Sequence, residues 1–356
     1  MSAPVLIMAG GTGGHIFPGL AVARELRERD VPVIWLGAHG GLETRLVPAA
    51  GFTLELLNIG GLRGKGWRQR LLGPWRLLNA MLRAWQVFSQ HQPRSVLSMG
   101  GYAAGPGGLV AWLRRVPLLV HEQNTLPGLT NKVLARLARR VLTGFPGVFT
   151  DLGKTEAVGN PVRQEITRLP LPSLRFAQRQ GPLRLLVLGG SQGARALNRA
   201  LPKALASCTV KFSVRHQSGV SGQQETCAAY QRAGLEAKVD AFIEDMAGAY
   251  EWADLVVCRA GALTVAELTA AGLAAILVPF PHAVDDHQTS NGQYLVDVGA
   301  AVMLAEGPGL ESALGAQLNT LSNRDSLLEM AKAARSRFLP QAAERVAQAC
   351  LQEAEQ

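Results

Sequence analysis

Val5-Leu6-Ile7-Met8-Ala9, followed at once by Gly10-Gly11-Thr12-Gly13-Gly14-His15, is the stretch that decides the fold of this chain. The five apolar residues predict a strand buried on both faces, as in a parallel sheet. Glycines directly after such a strand allow a sharp turn, and we expect Pro18-Gly19 to lead into a helix. The stretch therefore predicts the strand, turn and helix that open a doubly wound α/β fold.

The same alternation of strand and helix continues along the chain and then begins again. Further strands are predicted in the first half at Val33–Gly37, Val96–Met99, Leu118–Val120 and Val141–Thr143. After Asn160-Pro161 the pattern restarts, with a predicted helix at Ala196–Leu205 and strands at Leu185–Leu188, Lys211–Gln217, Val239–Phe242, Leu255–Cys258 and Ala275–Pro279. We therefore predict two doubly wound, Rossmann-like domains whose parallel sheets face a central cleft.

The length of 356 residues agrees with two domains. We place the first at residues 1–160 and the second at 161–340. The last stretch, 341–356, is predicted to be a helix that packs back on the first domain.

The positive charge of the chain lies in its first half. Residues 1–160 contain 18 Lys and Arg against 8 Asp and Glu, whereas the remainder contains 18 against 19. No acidic residue occurs between Leu56 and His121, a stretch with nine basic residues. Such an asymmetric charge predicts an anionic partner, which could be acidic lipid, nucleic acid or a phosphorylated substrate.

The cysteines and apolar segments argue against several classes of protein. The four cysteines are scattered without the close spacing of a zinc site, and a chain of this size does not depend on disulfides. We therefore expect a reduced, cytoplasmic setting and no zinc site. The apolar start lacks the basic residues of a signal peptide, and the uncharged run Ser95–Leu113 contains too many glycines, with Pro106, for a membrane-spanning helix.

Glycine-rich loops follow three of the predicted strands: Gly10–Gly14, Gly100–Gly105 and Gly189–Gly193. Backbone N–H groups in such loops, and at the helix N-terminus that follows, bind phosphate. A dinucleotide fingerprint would need glycine in place of Ile16, and no G-x-x-x-x-G-K-[ST] sequence is present. The loops therefore favour a phosphate-bearing substrate over hydride transfer or ATP hydrolysis. Glu267, on the helix after Gly261, could accept both hydroxyls of a ribose or could be a solvated helix residue.

Six segments, in order along nearly the whole chain, resemble the MurG family of bacterial glycosyltransferases (family 28). They are Gly10–His15, His121-Glu122-Gln123-Asn124, Gly159–Arg163, Gly189–Gly193, Gly261–Glu267 and Asp286-His287-Gln288. The resemblance implies a GT-B fold and an inverting enzyme that transfers N-acetylglucosamine from UDP-N-acetylglucosamine. The implied acceptor is the MurNAc C4 hydroxyl of undecaprenyl-pyrophosphoryl-MurNAc-pentapeptide (lipid I), giving lipid II for peptidoglycan synthesis. Catalysis without metal or cofactor is also implied, and the chain has no Asp-x-Asp motif.

The resemblance also implies which residues bind the donor. The backbone of Ile243 is expected to hydrogen-bond the uracil, and Glu267 is expected to bind the ribose hydroxyls. The pyrophosphate is expected to be bound by Gly190, Ser191 and Arg163. The N-terminus of the helix that follows Gly261 is expected to contribute backbone amides and the helix dipole to donor binding. The residues assigned to the donor there are Ala262, Leu263, Thr264, Val265 and Ala266. Gln288 and Asn291 are expected to bind the sugar. His287 stands where the family often has a second glutamine, which leaves open whether His287 or Gln288 contacts the sugar.

In the first half, the resemblance implies that Thr12, Gly13 and Gly14 meet either the lipid pyrophosphate or the donor, and that Asn124 faces the sugars. His15 is the candidate general base for the acceptor hydroxyl, because neutral imidazole accepts a proton near pH 7. The alternative is that His15 only orients the loop or a phosphate.

A tryptophan-bearing apolar stripe, with the spacing of a helix face that Pro74 could start, lies in the basic, acid-free segment. Its members are Leu71, Trp75, Leu78, Leu82 and Trp85, with Trp67 nearby and Arg76 and Arg83 beside it. The stripe could be core; the basic surroundings instead favour docking on an anionic membrane surface. We therefore expect peripheral attachment to the cytoplasmic face of the bacterial inner membrane, where other cell-wall synthesis proteins are potential partners.

Two rival functions remain at this point. A GT-B enzyme with another acceptor, such as a glycolipid synthase, would share the fold and the donor loops. A basic nucleic-acid-binding protein would explain the charge but not the three glycine loops, and the basic segment has no evident base-stacking or groove-reading motif. We therefore expect no nucleic-acid partner.

Overall fold

The structure is a computed structural model that describes residues 3–60, 73–177, 179–190, 193–283 and 286–355. The chain divides into two compact units. The first unit comprises Met1–Arg163 and Leu339–Gln356, and the second unit comprises Gln164–Phe338. The sequence places the boundary after Asn160, three residues before this division.

Strands and helices alternate along both units. The strands are β1 Val5–Ala9, β2 Val33–Ala38, β3 Thr53–Leu57, β4 Ser95–Gly100, β5 Leu118–Glu122, β6 Arg140–Thr143, β7 Thr155–Ala157, β8 Leu183–Leu188, β9 Phe212–Gln217, β10 Ala237–Asp240, β11 Leu255–Cys258, β12 Ala274–Leu277 and β13 Ala301–Met303. The helices are α1 Gly13–Glu28, α2 Glu43–Ala49, α3 Gly73–His91, α4 Ala104–Leu113, α5 Leu129–Leu137, α6 Gln164–Thr167, α7 Pro172–Ala177, α8 Arg195–Ala206, α9 Gln223–Arg232, α10 Met246–Trp252, α11 Ala262–Ala271, α12 His287–Val296, α13 Leu310–Thr320, α14 Arg324–Ser336 and α15 Ala342–Glu355.

Each unit contains one parallel sheet with the strand order of a doubly wound fold. The order is β3-β2-β1-β4-β5-β6-β7 in the first unit and β10-β9-β8-β11-β12-β13 in the second. The strand order reverses between β1 and β4 and again between β8 and β11, and ligands of such sheets bind at the carboxyl ends of these strands. The prediction of two Rossmann-like α/β domains with parallel sheets is confirmed.

Helices cover both faces of the first sheet. Val5 and Ile7 of β1 face a core layer that includes α1 and, from the C-terminal helix α15, Val346 and Cys350. Leu6 and Met8 face the opposite layer, which is built from α3, α4 and α5. Burial on both faces explains why β1 reads as a continuous apolar run.

The structure corrects several local predictions. Helix α1 begins at Gly13 and contains Pro18, rather than following Pro18-Gly19, because the N–H groups of His15 and Ile16 already donate to the Thr12 carbonyl and close the first turn. Strand β10 ends at Asp240, before the predicted Phe242. The short strands β3, β7 and β13, each with partly exposed residues, were not predicted.

Candidate functional site

The loop after β1 turns the backbone so that the first N–H groups of α1 point along the helix axis. Gly11 has a φ of +88°, a left-handed conformation that favours glycine. Thr12 is the N-cap residue in an extended conformation, and its side chain makes no capping hydrogen bond. Thr12 and Gly14 are exposed and Gly13 is half-buried. This geometry, with no acidic residue in the first turn, suits an anion.

The ring of His15 is oriented by the backbone of the same loop. Its Nδ1 lies 3.2 Å from the carbonyl oxygen of Gly10. Because a carbonyl can only accept, Nδ1 carries the proton in the neutral imidazole, and the lone pair of that imidazole is on Nε2. A Cβ built on Gly100 would lie 3.2 Å from this Nε2. The loop after β4 therefore passes directly beside the candidate base.

The loops after β1 and β4 also touch through their backbones. Gly100 and Gly101 have φ values of +100° and +91°. A Cβ on Gly101 would lie 2.6 Å from the Gly10 carbonyl oxygen, so only glycine permits this approach. The two predicted phosphate loops of the first unit therefore form one surface at the point where the strand order reverses, and the exposed Tyr102 follows it.

Glu43, the first residue of α2, is a residue of this site that the sequence reasoning missed. Its side chain is fully buried, with Oε2 accepting from the Gly11 N–H at 3.1 Å and Oε1 accepting from the Ala38 N–H at 3.0 Å. A Cβ on Gly10, Gly37 or Gly41 would lie within 2.7 Å of Glu43 side-chain atoms. The glycines that precede Glu43 in sequence were the available signal, because they leave room for a buried carboxylate.

Asn124 is held in place by Glu122 at the end of β5. Glu122 Oε1 accepts from the backbone N–H and from Nδ2 of Asn124, at 2.9 and 3.1 Å. Its Oε2 accepts from the Gly128 N–H and from Asn131 Nδ2, at 3.2 and 3.0 Å. The predicted sugar-facing residue therefore has a fixed amide, and the nearly buried Glu122 sets its orientation.

His121 connects the end of β5 to the segment at Gly159. Its Nε2–H donates to the Gly159 carbonyl at 3.0 Å, and its Nδ1 accepts from Gln123 Nε2 at 3.0 Å. Burial lowers the pKa of His121 to about 4, so the ring is neutral at pH 7. Asn160 Nδ2 donates in turn to the Gln123 carbonyl. These motif residues therefore support one another in the first unit.

In the second unit, the loop after β8 is shaped by backbone groups. Gly190 and Gly193 have φ values of +77° and +76°, and the Gly193 N–H donates to the Gly190 carbonyl at 3.0 Å. A Cβ on Gly193 would lie 2.4 Å from the Ser218 carbonyl oxygen. Gly190 is exposed. Ser191, the predicted hydroxyl donor, lies outside the described residues, so its role stays a prediction.

A buried polar chain lies behind this loop. Tyr230 Oη lies 2.9 Å from His216 Nδ1, and His216 Nε2 lies 3.0 Å from Asn198 Oδ1. Asn198 Nδ2 donates to the Ser218 carbonyl, the group against which Gly193 packs. Burial lowers the pKa of His216 to about 3.

Glu267 is a buried residue of α11, not a solvated helix glutamate. Its Oε2 accepts a 2.9 Å hydrogen bond from the hydroxyl of the fully buried Tyr250. Gly261 is the N-cap and makes no side-chain capping bond, so the first-turn N–H groups at Ala262, Leu263 and Thr264 point along the helix axis. Val265 is fully buried and its N–H donates to the Gly261 carbonyl, and Ala266 is buried too. Both residues lie in the first two turns of α11, and their expected contact with the sugar donor stays a prediction.

The remaining residues that are predicted to bind UDP-N-acetylglucosamine differ in solvent exposure. Ile243 is buried just after β10, and Arg163 is half-buried at the end of the first unit. Gln288 is half-buried, with Oε1 accepting from the Phe280 N–H at 2.9 Å. Asn291 is fully buried, and its Nδ2 donates to the Ala260 carbonyl at 3.4 Å. Asn291 therefore lies beneath the turn that starts α11, and its expected contact with the sugar stays a prediction.

The predicted apolar stripe lies on the outer face of α3. Trp75 and Leu82 are 64% and 57% exposed, and Leu78 and Trp85 are exposed as well, so these four residues are not core. The opposite face of α3, with Ala84, Val87 and Phe88, fills the core layer. Trp67 and Leu71 lie outside the described residues.

Basic groups border this outer face of α3. The guanidinium of Arg114 lies 5.0 Å from the ring centroid of Trp85, and its Nη1 donates to the Trp85 carbonyl. Arg83 pairs with Glu55 at 3.0 Å, which offsets part of its charge. Arg76 is exposed, and among the described residues we find no ion-pair partner for it.

In the ranges of the chain that the structure describes, three or more His, Cys, Asp or Glu side chains never cluster in a way that could hold a metal ion. The described helices are likewise all too short or too polar to cross a membrane.

Comparison with known proteins connects this geometry to a family. Residues 5–143 match the glycosyltransferase family 28 N-terminal domain, and residues 184–346 match its C-terminal domain. A relative from Xanthomonas campestris pv. campestris (strain 8004) is 58% identical over 99% of this chain and 82% of its own length. A relative from Alkalilimnicola ehrlichii is 55% identical over 99% of this chain and 100% of its own length. Both are named UDP-N-acetylglucosamine–N-acetylmuramyl-(pentapeptide) pyrophosphoryl-undecaprenol N-acetylglucosamine transferase.

A solved structure supports the same conclusion. The crystal structure of Acinetobacter baumannii MurG is 40% identical in sequence and superimposes with a TM-score of 0.86 over 99% of this chain and all of that chain. The two sheets have the Rossmann-like topology of GT-B glycosyltransferases. The chain belongs to glycosyltransferase family 28.

Proposed function

We propose that this chain transfers N-acetylglucosamine from UDP-N-acetylglucosamine to the MurNAc C4 hydroxyl of lipid I, with inversion, and so makes lipid II for peptidoglycan synthesis. The observation that carries this proposal is identity of 55% or more over 99% of the chain to transferases named for this donor and acceptor. The glycine loops at the reversal point of each sheet supply anion sites for the two pyrophosphate groups that the reaction involves.

The second unit binds the donor. Glu267, oriented by Tyr250, accepts the ribose hydroxyls through its carboxylate. The amides at Ala262–Thr264 and at Gly190 bind the pyrophosphate, with Arg163 adding positive charge, and the backbone of Ile243 reads the uracil. Gln288, whose Oε1 is occupied by the Phe280 N–H, offers its amide NH₂ to the sugar, whereas the buried Asn291 supports the turn below.

The first unit binds the acceptor and carries the base. Thr12, Gly13 and Gly14 bind the lipid pyrophosphate, and Asn124 contacts the sugar. As the acceptor oxygen attacks the anomeric carbon, His15 Nε2 takes the hydroxyl proton, the new C–O bond forms and the bond from that carbon to UDP breaks. The electron pair leaves with UDP, whose developing charge the amides and the α11 dipole stabilise without a metal.

The outer face of α3 docks the enzyme on the cytoplasmic surface of the inner membrane, where its lipid-linked acceptor resides. Exposed Trp75, Leu78, Leu82 and Trp85 provide apolar area, while Arg76 and Arg114 provide charge toward anionic headgroups. Indole rings beside cations are suited to the membrane–water interface. The attachment is peripheral and reversible.

Transfer of radiolabelled N-acetylglucosamine from UDP-N-acetylglucosamine tests the acceptor. The purified chain is incubated with lipid I, with a diacylglycerol acceptor, or with no acceptor. We expect label in the lipid I product alone, in the presence of a metal chelator as well as in its absence. Label in the diacylglycerol product but not with lipid I would show that this is a glycolipid synthase instead.

A further inference from the structure

The Gly10–Gly11 peptide group is held from both sides by side chains. Its N–H, on Gly11, donates to Glu43 Oε2 at 3.1 Å, and its C=O, on Gly10, lies 3.2 Å from His15 Nδ1. The peptide group is planar and trans, so its N–H and C=O point in opposite directions. Fixing the N–H therefore also fixes the direction of the carbonyl. The glycine loop thus joins Glu43 to His15 through a single rigid unit.

Glu43 is anchored independently of the loop that it holds. Its second oxygen, Oε1, accepts from the Ala38 N–H at 3.0 Å, at the end of β2, which pairs with β1 in the sheet. The side chain is fully buried, and three glycines leave the space that it fills. A carboxylate that accepts two backbone N–H groups in a cage of this kind has one orientation. The sheet therefore sets the position of the carboxylate, and the carboxylate sets the peptide.

We propose that Glu43 is a positioning residue for the candidate base: acting through the Gly10–Gly11 peptide, it keeps His15 as the Nδ1–H tautomer, with the Nε2 lone pair available to the acceptor hydroxyl. This inference rests on the proposed function for its catalytic consequence, but the link between Glu43 and the tautomer does not. In hydrolases, a carboxylate bound directly to Nδ1 fixes the tautomer and the orientation of the catalytic histidine. Here Glu43 has the same effect on His15 through one intervening peptide group. Without the carboxylate, the peptide can rotate and Nδ1 loses its acceptor.

The test is Glu43→Gln in the full chain, with Glu156→Gln as the matched control. Glu156 is a carboxylate of the first unit that pairs with Arg140 and Arg345 and does not touch the loop. Glutamine offers one acceptor and one NH₂ group, so one of the two backbone N–H groups must face a donor. We expect kcat to fall by about 10- to 100-fold, as for other supporting hydrogen bonds at active sites, with an unchanged KM for UDP-N-acetylglucosamine. The control retains normal kcat.

The readout that a purely structural role would not change is the His15 tautomer. Nitrogen NMR of the ¹⁵N-histidine-labelled protein distinguishes protonated from unprotonated ring nitrogens, and His15→Gln assigns the signal. We expect Nδ1–H in the wild type and in Glu156→Gln, and a mixture of tautomers in Glu43→Gln. If Glu43→Gln does not fold, Glu43→Asp replaces it, since the shorter side chain cannot reach both N–H groups.

Several outcomes would overturn the proposal. One is an Nε2–H tautomer in the wild type; another is an unchanged tautomer in a folded Glu43 variant, whatever happens to kcat. Failure of the proposed function looks different: the wild type would transfer no N-acetylglucosamine to lipid I, while its His15 tautomer would still respond to Glu43. Retained turnover in His15→Ala would contradict only the role of His15 as base.

Discussion

The loops after β1 and β8 follow the first strand of their respective sheets, yet different groups hold them. The first loop is fixed by side chains: Glu43 binds its N–H and His15 binds its carbonyl. The second loop is fixed by backbone, with Gly193 turned onto Gly190 and packed against the Ser218 carbonyl. Topology therefore determines where a phosphate loop forms, and the groups that support the loop determine its chemistry. Only the first presents an imidazole nitrogen; the second presents amides.

Removal of the imidazole tests this difference most directly. We expect His15→Ala to lower kcat by about 10²- to 10⁴-fold, the usual contribution of a general base. The Kd for UDP-N-acetylglucosamine should be unchanged, because we propose that the second unit binds this ligand. Turnover with lipid I and donor binding by calorimetry measure the two quantities. Near-normal kcat in the folded variant would leave His15 only an orienting role.

Lowering the pH is expected to reduce the stability of both units over the same pH range. Burial lowers the pKa of His121 to about 4 and that of His216 to about 3, from 6.5. The unfolded chain therefore binds more protons below pH 6.5, so the free energy of unfolding falls as the pH drops from about 6.5 towards 4. The slope reaches about 1.4 kcal/mol per pH unit for each histidine.

Urea unfolding at pH 7.5, 6.5 and 5.5 measures this dependence. His121→Gln should weaken it, whereas replacement of the exposed His39 by Gln should not. An equal slope in His121→Gln and in the wild type would argue against a neutral, buried His121.

Adding one methyl group to each loop should separate their roles. Gly101→Ala places a Cβ 2.6 Å from the Gly10 carbonyl, and Gly193→Ala places one 2.4 Å from the Ser218 carbonyl, both at positive φ. We expect Gly101→Ala to lower kcat and Gly193→Ala to raise the Kd for UDP-N-acetylglucosamine, each by about 10-fold. The cause is roughly 1–2 kcal/mol of backbone strain in each variant.

Two further glycines serve as controls for the backbone conformation alone. Gly147 in the first unit and Gly181 in the second have φ values of +82° and +76°, with no atom within 4 Å of a built Cβ. Gly147→Ala and Gly181→Ala are expected to lower stability without changing kcat or donor Kd. If Gly101→Ala weakened donor binding instead of turnover, the division between the loops would be wrong.

The smallest expected effect concerns the proposed membrane-docking face of α3, in the first unit. Arg76→Gln should reduce binding to anionic vesicles by about 5-fold, since each basic residue near such a surface contributes about 1 kcal/mol. Co-sedimentation at low and high salt measures the change, and Lys211→Gln, at an exposed lysine of the second unit, is the control. Equal binding by both variants would exclude electrostatic docking through α3.

The sequence predicted the elements whose pattern is local. Central strands such as β1 and β11 appear as unbroken apolar runs because both of their faces are buried. Strands β3 and β7 have mixed burial and show no such run, whereas β13 is apolar but only three residues long. Glu43 was missed because one of the two backbone N–H groups that bind its carboxylate, that of Gly11, lies 32 residues away in sequence. The sequence also does not reveal which way the amide of Asn291 points; the structure places its Nδ2 against the Ala260 carbonyl.

The C-terminal helix α15 has a consequence for how the protein is made. Val346, Ala347 and Cys350 are fully buried in the core layer beside β1, although more than 300 residues separate them from that strand in sequence. During synthesis the second unit emerges complete before the first unit has helix α15, so the first unit reaches its final packing only after the second unit has been synthesised. A fragment that ends at Arg163 would expose this layer, whereas a circular permutant that joins 339–356 directly to residue 1 would supply the first unit as one continuous segment.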